Sequence, residues 1–163
     1  MVLGQTCLHH FIKAQAEKTP TRLAVVSQED EKSYSELDRE SDALSVYLRQ
    51  HGVSPDDRVG IFMEPCAAYI VACIGALKAG GAFMPMALDS PDDLLKNILE
   101  MSKPKAIITT ELHSSRLNPG PDTHVFLIDM DSTWRELGVK YEPPAISCHN
   151  LAFVPYTSGT TGD

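Results

Sequence analysis

The chain has 163 residues, 43% hydrophobic and 22% charged, proportions that exclude a disordered or fibrous class and fit a single packed domain. Twenty-two Asp and Glu against fourteen Lys and Arg give a formal charge of −8, which speaks against a nucleic-acid binder, because such proteins carry a basic patch or stripe. The four cysteines, Cys7, Cys66, Cys73 and Cys148, form no C-x-x-C pair, so no zinc site is expected.

The opening residues have neither the basic nor the apolar region of a signal peptide. The longest apolar run, Ala67 to Leu77, is far shorter than the roughly 20 residues of a membrane span, so a cytoplasmic location is expected. Residues 7–17 place Leu8, Phe11 and Ile12 at helical spacing and stop before Thr19-Pro20. Leu23 to Val26 is a short strand candidate. Ser33 and Glu36 have the spacing of a capping box, in which each satisfies a backbone N–H at a helix start. Leu37, Leu44 and Leu48 then share one helical face until Gly52.

Arg58 to Met63 reads as a buried strand. Pro65 to Lys78 reads as a helix apolar almost all round, hence covered on several sides, with Cys66 and Cys73 as reduced core thiols on one of its faces. Gly80-Gly81 ends it, and Ala82 to Leu88 is another short apolar run. Ser90 is the expected cap of the next helix, with Pro91 at its first position and Asp92 and Asp93 at the positive end of its dipole. Leu94, Leu95, Ile98 and Leu99 are expected to face inward. Ala106–Ile108 and Val125–Ile128 are β-type runs, residues 111–124 and 138–150 read as loops, and Leu151 to Tyr156 reads as a last strand. Strands alternating with helices predict an α/β fold, a mainly parallel sheet flanked by helices on both faces.

The feature with chemical content follows that last strand: Thr157-Ser158-Gly159-Thr160-Thr161-Gly162. Two glycines let a backbone approach a ligand closely, hydroxyls supply donors, and successive N–H groups in such a turn form an anion-binding concavity. Open α/β sheets bind ligands beyond the carboxyl ends of their strands, where this run would sit. The run is not a Walker A sequence, which needs G-x-x-x-x-G-K-[ST], and a Thr/Ser/Gly run read alone is more often a solvated loop or linker than a phosphate site.

Tyr156 to Gly162 resembles the Y-T-S-G-T-T-G motif of the adenylate-forming superfamily, which includes acyl-CoA synthetases and the adenylation domains of non-ribosomal peptide synthetases. Two further stretches resemble motifs of that superfamily in the expected order. Ser33-Tyr34-Ser35-Glu36-Leu37 is similar to L-T-Y-x-E-L, and Leu77-Lys78-Ala79-Gly80-Gly81-Ala82-Phe83-Met84-Pro85 is similar to L-K-A-G-x-A-Y-x-P. The likeness runs from about Leu8 to the end. Ala87, Asn150 and Pro155 depart from the pattern.

The resemblance implies the N-terminal portion of the adenylate-forming ligase fold, with residues 1–163 as a truncated N-terminal subdomain. It implies ATP and Mg2+ as reaction partners, a carboxylic or amino acid as substrate, and CoA or a phosphopantetheinyl carrier protein as acyl acceptor. Thr157, Ser158, Gly159, Thr160, Thr161 and Gly162 would hold the β- and γ-phosphates. No residue here matches a catalytic or metal-binding position of the family, and the motif's lysine would follow Asp163. The 163 residues alone are therefore expected to form no adenylate. A non-catalytic product acting as a binding or interaction module is the alternative.

Overall fold

A computed structural model describes residues 6–28, 30–136 and 140–156. The elements are helix α1 (Leu8–Lys18), strands β1 (Leu23–Val26) and β2 (Glu31–Ser33), α2 (Tyr34–Gln50), β3 (Arg58–Phe62), α3 (Ala67–Ala79), β4 (Ala82–Pro85), α4 (Asp92–Ser102), β5 (Ala106–Thr109), a one-turn α5 (Glu111–Ser114), β6 (His124–Leu127) and a 3-10 turn at Thr133–Glu136. β1 and β2 form an antiparallel hairpin. The other four strands form a wholly parallel sheet in the order β4-β3-β5-β6, with Val59 opposite both Phe83 and Ala106.

The parallel sheet is covered on both faces, as parallel sheets require. Val59, Ile61, Ala106, Ile108 and Phe126 pack with α2 and α3 on one side. Phe62, Met84 and Ile107 pack against Leu95, Ile98 and Leu99 of α4 on the other. Adjacent residues of one strand thus serve opposite cores, because side chains alternate across a strand.

α3 is buried along nearly its whole length, as its composition predicts. Small residues let α2 approach it closely. Ser41 and Ser45 are buried in α2, and their hydroxyls donate to the Leu37 and Asp42 carbonyls at 2.6 and 2.7 Å, so neither leaves an unsatisfied group. Lys78 is 1% exposed, yet its Nζ donates to the Asp38 carbonyl at 2.9 Å and to carboxylate oxygens of Asp38 and Asp42 at 2.6 Å each. Burial, the largest effect, raises the Asp42 carboxyl above the usual range, and the Lys78 ammonium opposes it. The Ser33 capping box forms: Glu36 accepts from Ser33 N at 2.8 Å, and Ser33 Oγ accepts from Glu36 N at 3.3 Å.

Several local expectations are corrected. Ser90 does not cap α4: Pro91 is the cap residue, its carbonyl accepts the first helical bond from Leu95 N at 3.0 Å, and the Ser90 carbonyl is taken by Arg116 at 2.6 Å. Leu94 is 38% exposed, because the buried stripe runs through 95, 98, 99 and 102, leaving 94 at its margin. α1 buries His9 and Ala16 and leaves Leu8 and Phe11 exposed. Cys66 caps α3 and is only half-buried, while Cys73 is buried. Strand β2 and helix α5 lie where no strand or helix was expected.

Two outcomes check this packing. A Cβ on Gly75 would lie 2.8 Å from Leu44 Cδ2 and 3.1 Å from Leu44 Cβ, an atom fixed by the α2 backbone. Gly75→Ala should therefore lower stability by about 1–2 kcal/mol in urea unfolding, against the gain of about 1 kcal/mol that alanine brings to an open helix position. The second concerns His9, which is 4% exposed with no hydrogen-bond partner at Nε2. Burial first, then His10 and Lys78, push its imidazole down to about 4. The unfolded chain, titrating near 6.5, binds the proton more readily between about pH 4 and 6.5, so stability falls as pH falls through that window. His9→Gln should flatten the pH dependence there; an unchanged slope would contradict the assignment.

Candidate phosphate-binding edge

All four strands of the main sheet point the same way, so Phe62, Pro85, Thr109 and Leu127 end on one edge. The segment that leads to residues 157–162 reaches the same edge. Phe153 forms a parallel bridge with Phe83 beside β4, with Phe83 N donating to the Ala152 carbonyl and Val154 N to the Phe83 carbonyl, both at 3.1 Å. The two rings lie 5.1 Å apart. The expected strand over Leu151–Tyr156 is thus a single bridge: Leu151 and Phe153 remain 48% exposed, and Pro155 has no N–H for a further rung. The expected site residues Thr157, Ser158, Gly159, Thr160, Thr161 and Gly162 lie outside the described residues.

What aims the segment is a chain of contacts from α3. Gly80 caps α3 at φ +95, a left-handed conformation suited to glycine. Its carbonyl accepts Asp56 N at 3.1 Å, and Asp56 itself sits at φ 68. The Asp56 carboxylate accepts Leu151 N at 2.7 Å and Asn150 Nδ2 at 2.9 Å. Asn150, where the family pattern commonly has an acid, here supplies a donor to that carboxylate and accepts Ser147 N at 2.8 Å through Oδ1.

Charged groups missed by the sequence reading surround the edge. Arg116 donates to the carbonyls of Leu88 and Ser90 and to Asp92 Oδ1 at 2.8 and 3.1 Å, with its guanidinium 5.7 Å from the Phe62 ring. It braces the loop between β4 and α4. His113 Nε2 lies 3.7 Å from a Glu64 oxygen. The Asp129 carboxylate accepts Glu111 N at 3.0 and 3.2 Å. These partners are non-local, and no sequence spacing marks them. Among the described residues no three His, Cys, Asp or Glu side chains gather to hold a metal. Two partly open clefts lie elsewhere: one of about 120 Å3 between Cys7–His9 and residues 146–152, another of about 510 Å3 between Leu99–Lys105 and residues 118–123. Neither includes Val154 to Tyr156.

The profile of a family described as AMP-binding enzyme matches residues 12–163, a stretch that contains the Thr157–Gly162 run. The chain belongs to this family. It is 37% identical over 155 residues to bacitracin synthase 3 of Bacillus licheniformis and 34% identical over 157 residues to tyrocidine synthase 1 of Brevibacillus parabrevis. Each match covers 95% of the chain, but only 2% and 14% of those two proteins. Among solved structures, the nonribosomal peptide synthetase FmoA3 (S1046A) bound to alpha-methyl-L-serine-AMP superposes with a TM-score of 0.85 at 29% identity, over 98% of this chain and 18% of that one. Its AMPPNP-bound form gives 0.82 at 29% identity, over 97% and 17%. VinN in complex with 3-methylaspartate shares the fold, with a TM-score of 0.87 at 24% identity, over 97% of this chain and 45% of that one. The mainly parallel sheet flanked by helices is therefore the N-terminal architecture of adenylation domains.

The Asp56 clamp is testable. Asp56→Gly keeps the left-handed backbone and removes only the carboxylate. The Leu151 amide should then exchange with solvent at least about tenfold faster, the equivalent of about 1.4 kcal/mol of lost protection. Unchanged protection would show that the segment is held without it.

Proposed function

We propose that these residues form the N-terminal part of an ATP-dependent ligase domain that joins a carboxylic acid, of the amino-acid class, to AMP and releases pyrophosphate. Thr157, Ser158, Gly159, Thr160, Thr161 and Gly162 hold the β- and γ-phosphates. The observation that carries this reading is the parallel placement of Phe153 beside β4, which directs the chain toward the carboxyl edge four residues before the Thr/Ser/Gly run begins. The nucleotide-bound FmoA3 structures and the peptide synthetases among the relatives support the substrate class.

Donors fixed before reaction stabilise charge that develops on the leaving pyrophosphate without reorganising. The donor set fits phosphate: four hydroxyls and the N–H groups around two glycines, with no carboxylate. Mg2+ bound to the phosphates would neutralise part of their charge. The activated acyl group then passes to a thiol, for which a phosphopantetheinyl carrier protein suits the amino-acid class. The reading places this chemistry in the cytoplasm.

No residue of the 163 matches a catalytic position of the family, so the chain by itself is expected to stop short of the reaction. Incubated with ATP, Mg2+ and a panel of amino and carboxylic acids, it should release no pyrophosphate above background; acid-dependent release would overturn this. In a ligase domain carrying the segment, replacing Ser158 and Thr160 together by alanine should lower ATP–pyrophosphate exchange by about 10²–10³-fold. Undiminished exchange would remove the run from the phosphate site.

A further inference from the structure

Residues Ile146 to Ala152 cross the start of α1, and the two segments border a cleft of about 120 Å3. Cys7 and His9 line it from one side and Cys148 from the other. Cys7 is the cap residue of α1, and its backbone N–H donates to His10 Nδ1 at 3.3 Å. Cys148 is the second residue of a turn closed by Asn150 N on the Ser147 carbonyl at 3.1 Å. Neither cysteine is in a disulfide. Both cysteines line this one small cleft, and the Cys7 thiol is raised above its ordinary range, first by burial and then by the charge of Cys148. The remaining pair differs: Cys66 caps α3, and burial pushes the Cys73 thiol up to about 12. Among the described residues no three His, Cys, Asp or Glu side chains gather in a metal-holding arrangement.

We propose that Cys7 and Cys148 form a reversible disulfide that pins residues 146–152 to the start of α1. Cys148 is exposed and meets the oxidant first. Its thiolate attacks a low-molecular-weight disulfide, forming a mixed disulfide and expelling one small thiolate. The Cys7 thiolate then attacks the Cys148 sulfur and expels the second. Two protein thiols become one disulfide, the two electrons go to the small disulfide, and the two protons end on the released thiols. Cys148 lies two residues before the Asn150–Leu151 pair that Asp56 holds, so the cross-link fixes the lead-in to Phe153 from a second side. The pairing stands whether or not residues 157–162 hold phosphate.

The test is oxidation of the native chain with glutathione disulfide, followed by alkylation and peptide mapping without reductant. The expected result is a Cys7–Cys148 linked peptide, mass loss equal to two hydrogens, reversal by dithiothreitol and an unfolding midpoint raised by several degrees, as closing a long loop predicts. Cys7→Ser should leave a persistent glutathione adduct on Cys148, Cys148→Ser should leave Cys7 unmodified, and Cys66→Ser should cross-link as the native chain does. A persistent Cys148 adduct in the native chain, cross-links only between copies, or pairing only in denaturant would each overturn the proposal.

Discussion

The fold depends on the burial of α3. Its residues from Val71 to Ala79 have no free face: they share a core with Val59, Ile61, Ala106 and Ile108 of the sheet and meet α2 at the Gly75–Leu44 contact. A helix so placed fixes the spacing between α2 and β3, and hence which strand faces become core. The cation in this wedge, Lys78, is kept there by three acceptors of α2. Removing one partner of a buried pair costs more than the pair contributes when intact, so Lys78 acts mainly to specify how α2 and α3 meet.

The same helix positions the segment that leads toward the candidate site. Its left-handed end at Gly80 turns the chain into β4 and presents the carbonyl that holds Asp56. Asp56 holds Leu151, and β4 receives Phe153 through Phe83. The Leu77–Pro85 stretch, which as sequence is a helix end and a strand, is therefore the physical link between the main core and the approach to residues 157–162. A β-carbon at Gly80 would meet Ile146 Cγ2 at 3.2 Å and Pro55 Cα at 3.3 Å, so that turn also sits where neighbouring chain passes closest.

The legible parts of the fold were those with a strong local signal. The Ser33–Glu36 box, the Leu37/Leu44/Leu48 face and the all-apolar α3 each rest on spacing within one element, and each is present. The misread parts depend on partners distant in sequence. Leu8 and Phe11 have the spacing of an inward face, yet α1 turns His9 and Ala16 inward because α2 and α3 lie on that side. Ser90 has the chemistry of a cap, but Arg116 takes its carbonyl and the helix begins one residue later. β2 is Glu31-Lys32-Ser33, too short and polar to show alternation, and exists because β1 pairs with it. The Thr157–Gly162 run could be recognised as a motif, whereas Asp56 and Arg116, which position the loops around that edge, have no local signature.

The central claim is that the end of this chain meets phosphate at the carboxyl edge of the parallel sheet. Backbone amide shifts measured by NMR during titration with Mg2+ and ATP test it most directly. The account predicts that the largest changes fall on Thr157 to Gly162, with smaller ones at the strand ends around Met86 and Thr110. Changes centred instead on the cleft lined by Lys103 and Lys105, at the opposite end of β5, would contradict it, as would a spectrum unchanged at saturating nucleotide.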